Sequence, residues 1–263
     1  MNLRKHILDT LAGVAVLLTA TACSGVFDGI YDEVPATPTV TEGQLLVDAT
    51  SWKDWYYVDF DSLRTYIEQK DTAGLLKAQT HFAHFPIPTT LSGGAGDGQT
   101  GIYTYWFDVF GKGISVNEKR SFTPAEAQEE PPSWSIAFHR NNVRTNGGAV
   151  LETNYKSMNE LPKSSIDFLG ATFQPDEWSE NEVWADQSQM LQSLIGCQGI
   201  KINKVLSTWL RLDIPPMPPA FTMNSHVFII RMKNGNYAAV QLENYMNAEG
   251  AKCWLTINYK YPY

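Results

Sequence analysis

The most regular pattern of apolar and polar positions lies toward the end of the chain. Residues 227–233 form an apolar run, Asn234-Gly235 follows, and residues 236–243 return as a second strand-like run. An Asn-Gly pair between two such runs signals a two-residue type I′ hairpin turn. Another turn cluster, Asn247-Ala248-Glu249-Gly250, precedes a segment in which Cys253, Leu255, Ile257 and Tyr259 alternate with Trp254, Thr256, Asn258 and Lys260. Strand side chains point to opposite faces in turn, so a period of two predicts a strand. Three antiparallel strands in a meander are therefore expected. Upstream, residues 55–60, 101–110, 133–139 and 148–153 also read as strands, and short helices are predicted over 62–70, 187–195 and 203–210. The run Pro215-Pro216-Met217-Pro218-Pro219 is incompatible with a helix interior or a central strand. The fold class expected is mostly β, a single antiparallel domain over residues 45–263 with a few short helices.

The start of the chain has a different pattern. Arg4 and Lys5 precede a mostly apolar stretch at 7–18, interrupted by Asp9, Thr10 and Gly13. A bilayer-spanning helix needs about 20 apolar residues, so this run falls short. It leads into Leu18-Thr19-Ala20-Thr21-Ala22-Cys23, which resembles the bacterial lipobox, with Ala20 where leucine is usual. The resemblance implies that residues 1–22 are a signal peptide and that Cys23 is lipidated; the alternative is an ordinary secretory peptide with an incidental cysteine. Several acyl chains on one residue anchor stably where a single chain does not. Ser24, where an aspartate would suggest retention at the inner membrane, points to the outer membrane. Residues 23–44, with Pro35-Ala36-Thr37-Pro38-Thr39, read as the lipidated cysteine and its tether. Two loops are expected, one glycine-rich at 93–98 and one at 126–132.

Removing residues 1–22 takes away Arg4, Lys5 and Asp9, leaving 18 basic and 27 acidic side chains and a net charge of −9. That argues against a duplex nucleic-acid binder, whose affinity depends on neutralising phosphates. Cys197 and Cys253 remain after processing; one disulfide and two buried thiols are both open readings. Neither has a neighbour at metal-ligand spacing.

Four segments in this order resemble the HmuY family of haem-binding lipoproteins. They are Trp52-Lys53-Asp54-Trp55-Tyr56-Tyr57-Val58-Asp59-Phe60; Trp134-Ser135-Ile136-Ala137-Phe138-His139-Arg140 leading to Val143-Arg144-Thr145-Asn146-Gly147-Gly148; Leu206-Ser207-Thr208-Trp209 before the proline cluster; and the run from Phe228 through Asn234-Gly235 to Gln241. The segment from Trp134 to Gly148 is the most specific. The resemblance implies an all-β fold with a few short helices. It also implies capture of haem (iron protoporphyrin IX), drawn in part from host haemoproteins and delivered to a TonB-dependent outer-membrane transporter.

In that family two histidines or two methionines hold the iron. One follows the Arg-Thr-Asn-Gly stretch and the other precedes the Ser-x-Trp helix. This chain has no histidine between His139 and His226, whereas Met158 and Met190 are the only methionines between Arg140 and Trp209. The resemblance therefore implies Met158 and Met190 as axial ligands. Read from the residues alone, both are more readily core filler, since Met commonly fills irregular core gaps. Thioether sulfur is soft and favours reduced iron. Tyr155, Phe168, Phe173, Trp178 and Trp184 are candidate walls for a macrocycle, or ordinary core.

Other polar residues read as structural. His81 and His84 would share one face of a helix, but no third metal ligand is near. His139, on the strand face opposite Ile136 and Phe138, is expected to serve in a structural hydrogen bond. Glu129-Glu130 and Asp176-Glu177 read as solvated surface, and the glycines of Arg144-Thr145-Asn146-Gly147-Gly148 as a turn with positive φ. No enzyme signature is present. The competing reading is a surface glycan-binding lipoprotein, since the chain has 8 Trp and 12 Tyr, and exposed aromatic rings stack well on sugar faces.

Overall fold

The computed structural model describes residues 40–87, 103–111, 113–119, 128–214 and 218–263. The signal segment, Cys23, the tether up to residue 39 and the glycine-rich loop lie outside the described residues, as do parts of the 126–132 and 215–219 segments. No helix among the described residues is long and apolar enough to cross a membrane.

The chain runs through β1 (Gln44–Asp48), β2 (Asp54–Val58), α1 (Phe60–Gln69), α2 (Thr72–Thr80), β3 (Ala83–Pro86), β4 (Tyr103–Asp108) and β5 (Gly113–Lys119). It continues with β6 (Ile136–His139), β7 (Asn142–Thr145), β8 (Ala149–Glu152), β9 (Gln174–Pro175), β10 (Glu177–Ser179), β11 (Trp184–Asp186), β12 (Leu194–Gln198) and β13 (Ile200–Ile202). It ends with β14 (Leu210–Asp213), β15 (Ala220–Met223), β16 (Phe228–Arg231), β17 (Tyr237–Met246) and β18 (Lys252–Lys260). The fold is mostly β, as the sequence pattern predicts. A six-stranded sheet has the order β1-β18-β17-β16-β8-β9, and two four-stranded sheets have the orders β3-β2-β6-β7 and β11-β12-β4-β5. Two short pairs, β10-β13 and β14-β15, complete it.

Alternation explains the layers. On β2 and β6, Val58, Ile136 and Phe138 face one core, which they share with Leu45, Val240 and Ile257 of the large sheet and with Phe60 and Leu63 of α1. Trp55, Tyr57 and Ala137 face a second core with Trp134, Val183 and Ile202. The β2-β6 layer is therefore covered on both sides, which is why every residue of β6 and β7 is buried. Trp209 anchors the first core: it is fully buried, stacks on Phe138 at 5.4 Å and donates from Nε1 to the Asn141 carbonyl at 3.1 Å. The large sheet is also two-sided. Phe228 and Ile230 enter the first core, while Val227 and Ile229 face outward under a third cluster.

The expected meander is present as β16, β17 and β18, with Phe228 opposite Val240 and Leu242 opposite Ile257. Its first turn is not type I′. The Gly235 amide donates to the Met232 carbonyl and the Met232 amide to the Asn236 carbonyl, with only Gly235 at positive φ (+86°). This is a three-residue loop, a type I turn closed by a left-handed glycine. Asn247–Gly250 closes the second hairpin in the same way, with Gly250 at +80°.

Two predicted helices are replaced by single 3₁₀ turns. Over 187–195 only Met190–Gln192 is helical, because Ser193 turns left-handed (φ 62°) and Leu194 enters β12. Over 203–210 the turn is Leu206–Trp209, after which Leu210 enters β14. The predicted helix at 62–70 is present as α1, which starts two residues earlier because Asp59 caps it by accepting from the Asp61 amide at 3.1 Å. Helix α2 has no counterpart among the predictions.

Candidate functional site

The chain between β8 and β9 leaves the large sheet and returns across its outer face. Its first part is pinned to the strands beneath. Thr153 Oγ1 donates to the Val227 carbonyl at 2.7 Å, the Val227 amide to the Tyr155 carbonyl at 2.8 Å, and Gln241 Nε2 to the Lys156 carbonyl at 2.7 Å. Met158 begins a 3₁₀ turn capped by Ser157. Half-buried, it packs on the third cluster, where Phe168 and Phe173 cover Ala149, Val227, Ile229 and Ala239, and Tyr155 lies in the same group. Farther along the excursion, Ile166 and Leu169 are exposed at 68% and 67%.

Met190 belongs to a different sheet. Its 3₁₀ turn joins β11 to β12, and its side chain packs on Tyr105, Val109, Ile195 and Cys197, together with Phe107 and Trp184. The neighbouring Leu191 is fully exposed. The β4–β5 turn lies alongside, since the Val109 amide donates to the Ser193 carbonyl at 3.0 Å, and it exposes Phe110 and Ile114. Four of the five aromatic wall candidates thus divide between the methionines: Tyr155, Phe168 and Phe173 with Met158, and Trp184 with Met190. Trp178 joins neither group; it lies over Gly199, where an added Cβ would meet its ring at 2.6 Å. The two methionines pack on separate clusters.

The histidines differ sharply in availability. His139 is fully buried beside the Trp55 ring, with Nδ1 2.9 Å from the Asp54 carbonyl and Nε2 2.8 Å from the Trp184 carbonyl. Burial pushes its pKa down to about 4, against the pull of the two carbonyls. Its expected structural role holds, and both nitrogens are engaged. His81 caps the end of α2 and His84 lies in β3, so they do not share a helix face. His226 is a residue that reading by motif passes over. Glu152 Oε1 lies 2.7 Å from its Nδ1, and its Nε2 has no partner among the described residues. A carboxylate on one ring nitrogen is the usual way an imidazole is oriented for metal binding. Its neighbour Val227 bonds to Tyr155, which places His226 beside the Met158 segment.

The family-like stretch around Arg144 is a structural hub. The Arg144 guanidinium lies 4.9 to 5.5 Å from the rings of Trp134, Trp55 and Tyr57, donates to the Tyr57 hydroxyl, and pairs with Glu130. Asp176 accepts from the Thr145 amide and hydroxyl and from Asn203 Nδ2, and burial raises its pKa. One acid of each pair expected to be solvated, Glu130 and Asp176, is thus an anchor. Gly147 has positive φ (+67°), as the turn requires, whereas Gly148 answers to a close approach: a Cβ there would lie 2.9 Å from the Arg231 carbonyl.

A cleft of about 820 Å³ opens between the end of β4, the β6–β7 turn, the segment before β11, and the β14–β15 pair. Neither methionine lines it. Its charged walls are Asp108, Glu152, Glu182 and Asp213 against Lys204 and Arg211. Among the described residues no three His, Cys, Asp or Glu side chains converge to hold a metal ion.

The HmuY protein family model matches residues 51–259, nearly the whole described domain. The chain belongs to the HmuY family. Solved structures agree with that membership. A protein of Bacteroides fragilis designated a lipoprotein is 28% identical, over 86% of this chain and 94% of its own, with a TM-score of 0.54. A Bacteroides vulgatus protein designated HmuY-like and haem-binding is 26% identical, over 88% and 99%, at 0.53. The apo form of a Tannerella forsythia HmuY analogue, 20% identical over 87% and 97% at 0.53, shares the fold. No curated protein matches. In this HmuY-family chain the segments that carry the resemblance are mostly core: Trp55, Phe138 and Trp209 are all fully buried. They maintain the layers from which the methionine turns project.

Proposed function

We propose that this protein binds haem as cargo, with Met158 and Met190 as the axial ligands of the iron. We place it at the outer membrane on a lipidated Cys23, from which it passes haem to a TonB-dependent transporter. The distribution of exposed apolar side chains carries the reading. Ile166 and Leu169 are exposed farther along the excursion that carries Met158, Leu191 is exposed in the Met190 turn, and Phe110 and Ile114 are exposed at the β4–β5 connection that hydrogen-bonds to that turn. Apolar surface gathered beside two candidate ligands is what a planar apolar macrocycle would cover. The Bacteroides vulgatus relative, designated haem-binding, supports the same ligand. The donors fit in kind: thioethers are neutral, need no deprotonation and suit the softer ferrous iron. The protein's share of the chemistry is to hold the iron on two soft ligands and keep the macrocycle out of water. Among the histidines, His139 is locked by two carbonyls, while His226 is oriented by Glu152 and has no partner at Nε2 among the described residues.

The test is a titration of residues 24–263 with haemin, followed by absorbance, in air and then under dithionite. The expected result is saturable low-spin binding that tightens on reduction and weakens in Met158→Ala and in Met190→Ala. Equal affinity in both redox states, or no loss in the double variant, would overturn the ligand assignment. A histidine-type spectrum abolished by His226→Ala would transfer one position to His226. No saturable binding in either state would remove haem altogether.

A further inference from the structure

The cleft described above carries chemistry that the methionine turns do not use. Its carboxylates are already engaged. Asp108 accepts from the amides of Phe110 and Gly111, Asp213 pairs with Arg211 at 3.0 Å, Glu182 with Lys204 at 3.7 Å, and Glu152 with His226. Of its carboxamides, Asn224 is engaged, by Glu152 and the His226 amide, and three are not. Asn141, Asn142 and Asn181 all line the cleft, and the side chain of none of them hydrogen-bonds to another described residue. Asn142 is the deepest of them, 3% exposed; its Oδ1 is closed off from solvent, so its Nδ2 is the atom it can offer to a ligand.

An aromatic wall completes the site. Trp184 lines the cleft, half-buried and stacked on Trp52 at 6.1 Å, with Arg140 over the far ring at 4.4 Å. The stack holds a flat, rigid apolar surface beside three free carboxamides. Asn141 and Asn181 can each donate and accept at once and Asn142 can donate, which is what adjacent hydroxyl groups on a ring demand. Four carboxylates against two cations disfavour an anion, and the engaged state of those carboxylates leaves no bare site for a cation. The volume lies within the roughly 300–1,000 Å³ of small-ligand sites. We propose that this cleft is a second site, adjoining the Met190 cluster at Trp184 but containing neither candidate haem ligand, which binds a neutral saccharide through Asn141, Asn142 and Asn181 with a sugar face on Trp184. A surface protein with both sites would hold on to a glycan while it collects haem.

The probes are cellohexaose, mannohexaose and maltoheptaose, with an oligogalacturonate as the anionic control, titrated calorimetrically into the lipid-free chain. At least one neutral oligosaccharide should bind. Asn142→Ala and Asn181→Ala should each weaken it by about tenfold, with circular dichroism and haemin titration unchanged. Because Asn181 is only half-buried, its variant keeps the test sound if Asn142→Ala fails to fold. Absence of binding to every neutral probe, preference for the galacturonate, binding unaffected by either variant, or stoichiometric displacement of the sugar by haemin would each overturn the proposal.

Discussion

At the scale of single residues, the deepest polar groups set how the protein responds to its medium. His139 has a carbonyl on each ring nitrogen, yet a neutral imidazole donates to only one. Its pKa falls from 6.5 to about 4 because burial outweighs the two acceptors. Between those values the unfolded chain takes up a proton that the folded chain refuses. Stability should therefore fall as pH drops through that window, by a few kcal/mol at most, and be unaffected by this group above it. Unfolding free energies measured against pH should give a flatter curve for His139→Gln over the window; parallel curves would assign the slope elsewhere. Of this chemistry, the sequence disclosed the role of His139 through its alternation with Ile136 and Phe138. It did not disclose that Glu130 and Asp176 anchor Arg144 and Thr145, since their partners are 14 and 31 residues away. His226 was hidden for the same reason, its orienting Glu152 lying 74 residues upstream.

At the scale of elements, what could be read depended on how local the cause was. The three C-terminal strands were legible because their period of two spans whole strands. The turn type was not: Asn234-Gly235 suits both a two-residue loop and the three-residue loop found, and strand register decides between them. The segment from 187 to 195 read as helical until pairing with β4 and β11 claimed its end for a strand. Tertiary pairing overrode local propensity there. Glycine offers a direct check of such long-range constraint. Gly148→Ala should destabilise by about 1–3 kcal/mol, because its Cβ would press on the Arg231 backbone. Gly170→Ala, with nothing within 4 Å, should be close to neutral in the same denaturant titration.

At the scale of the whole molecule, layers covered on both sides leave most apolar side chains buried, so those that remain outside stand out. Leu191 and Ile166 contribute little to folding. Leu191→Ser and Ile166→Ser should each change unfolding free energy by no more than about 0.5 kcal/mol, while haemin affinity falls by about tenfold. Loss of stability without loss of affinity would return both residues to the scaffold. The candidate ligands were legible in the sequence only through family resemblance; the cleft was not legible at all, since its walls come from six separated stretches. The layering also isolates the two thiols. Cys197 and Cys253 are free and buried in different sheets, and burial pushes the Cys197 thiol up to about 12. Neither presents a thiolate to an oxidant while the chain is folded. An added thiol reagent would thus be blind to the folded 24–263 chain and report only its openings, so these two cysteines amount to a built-in clock for how often this domain comes apart.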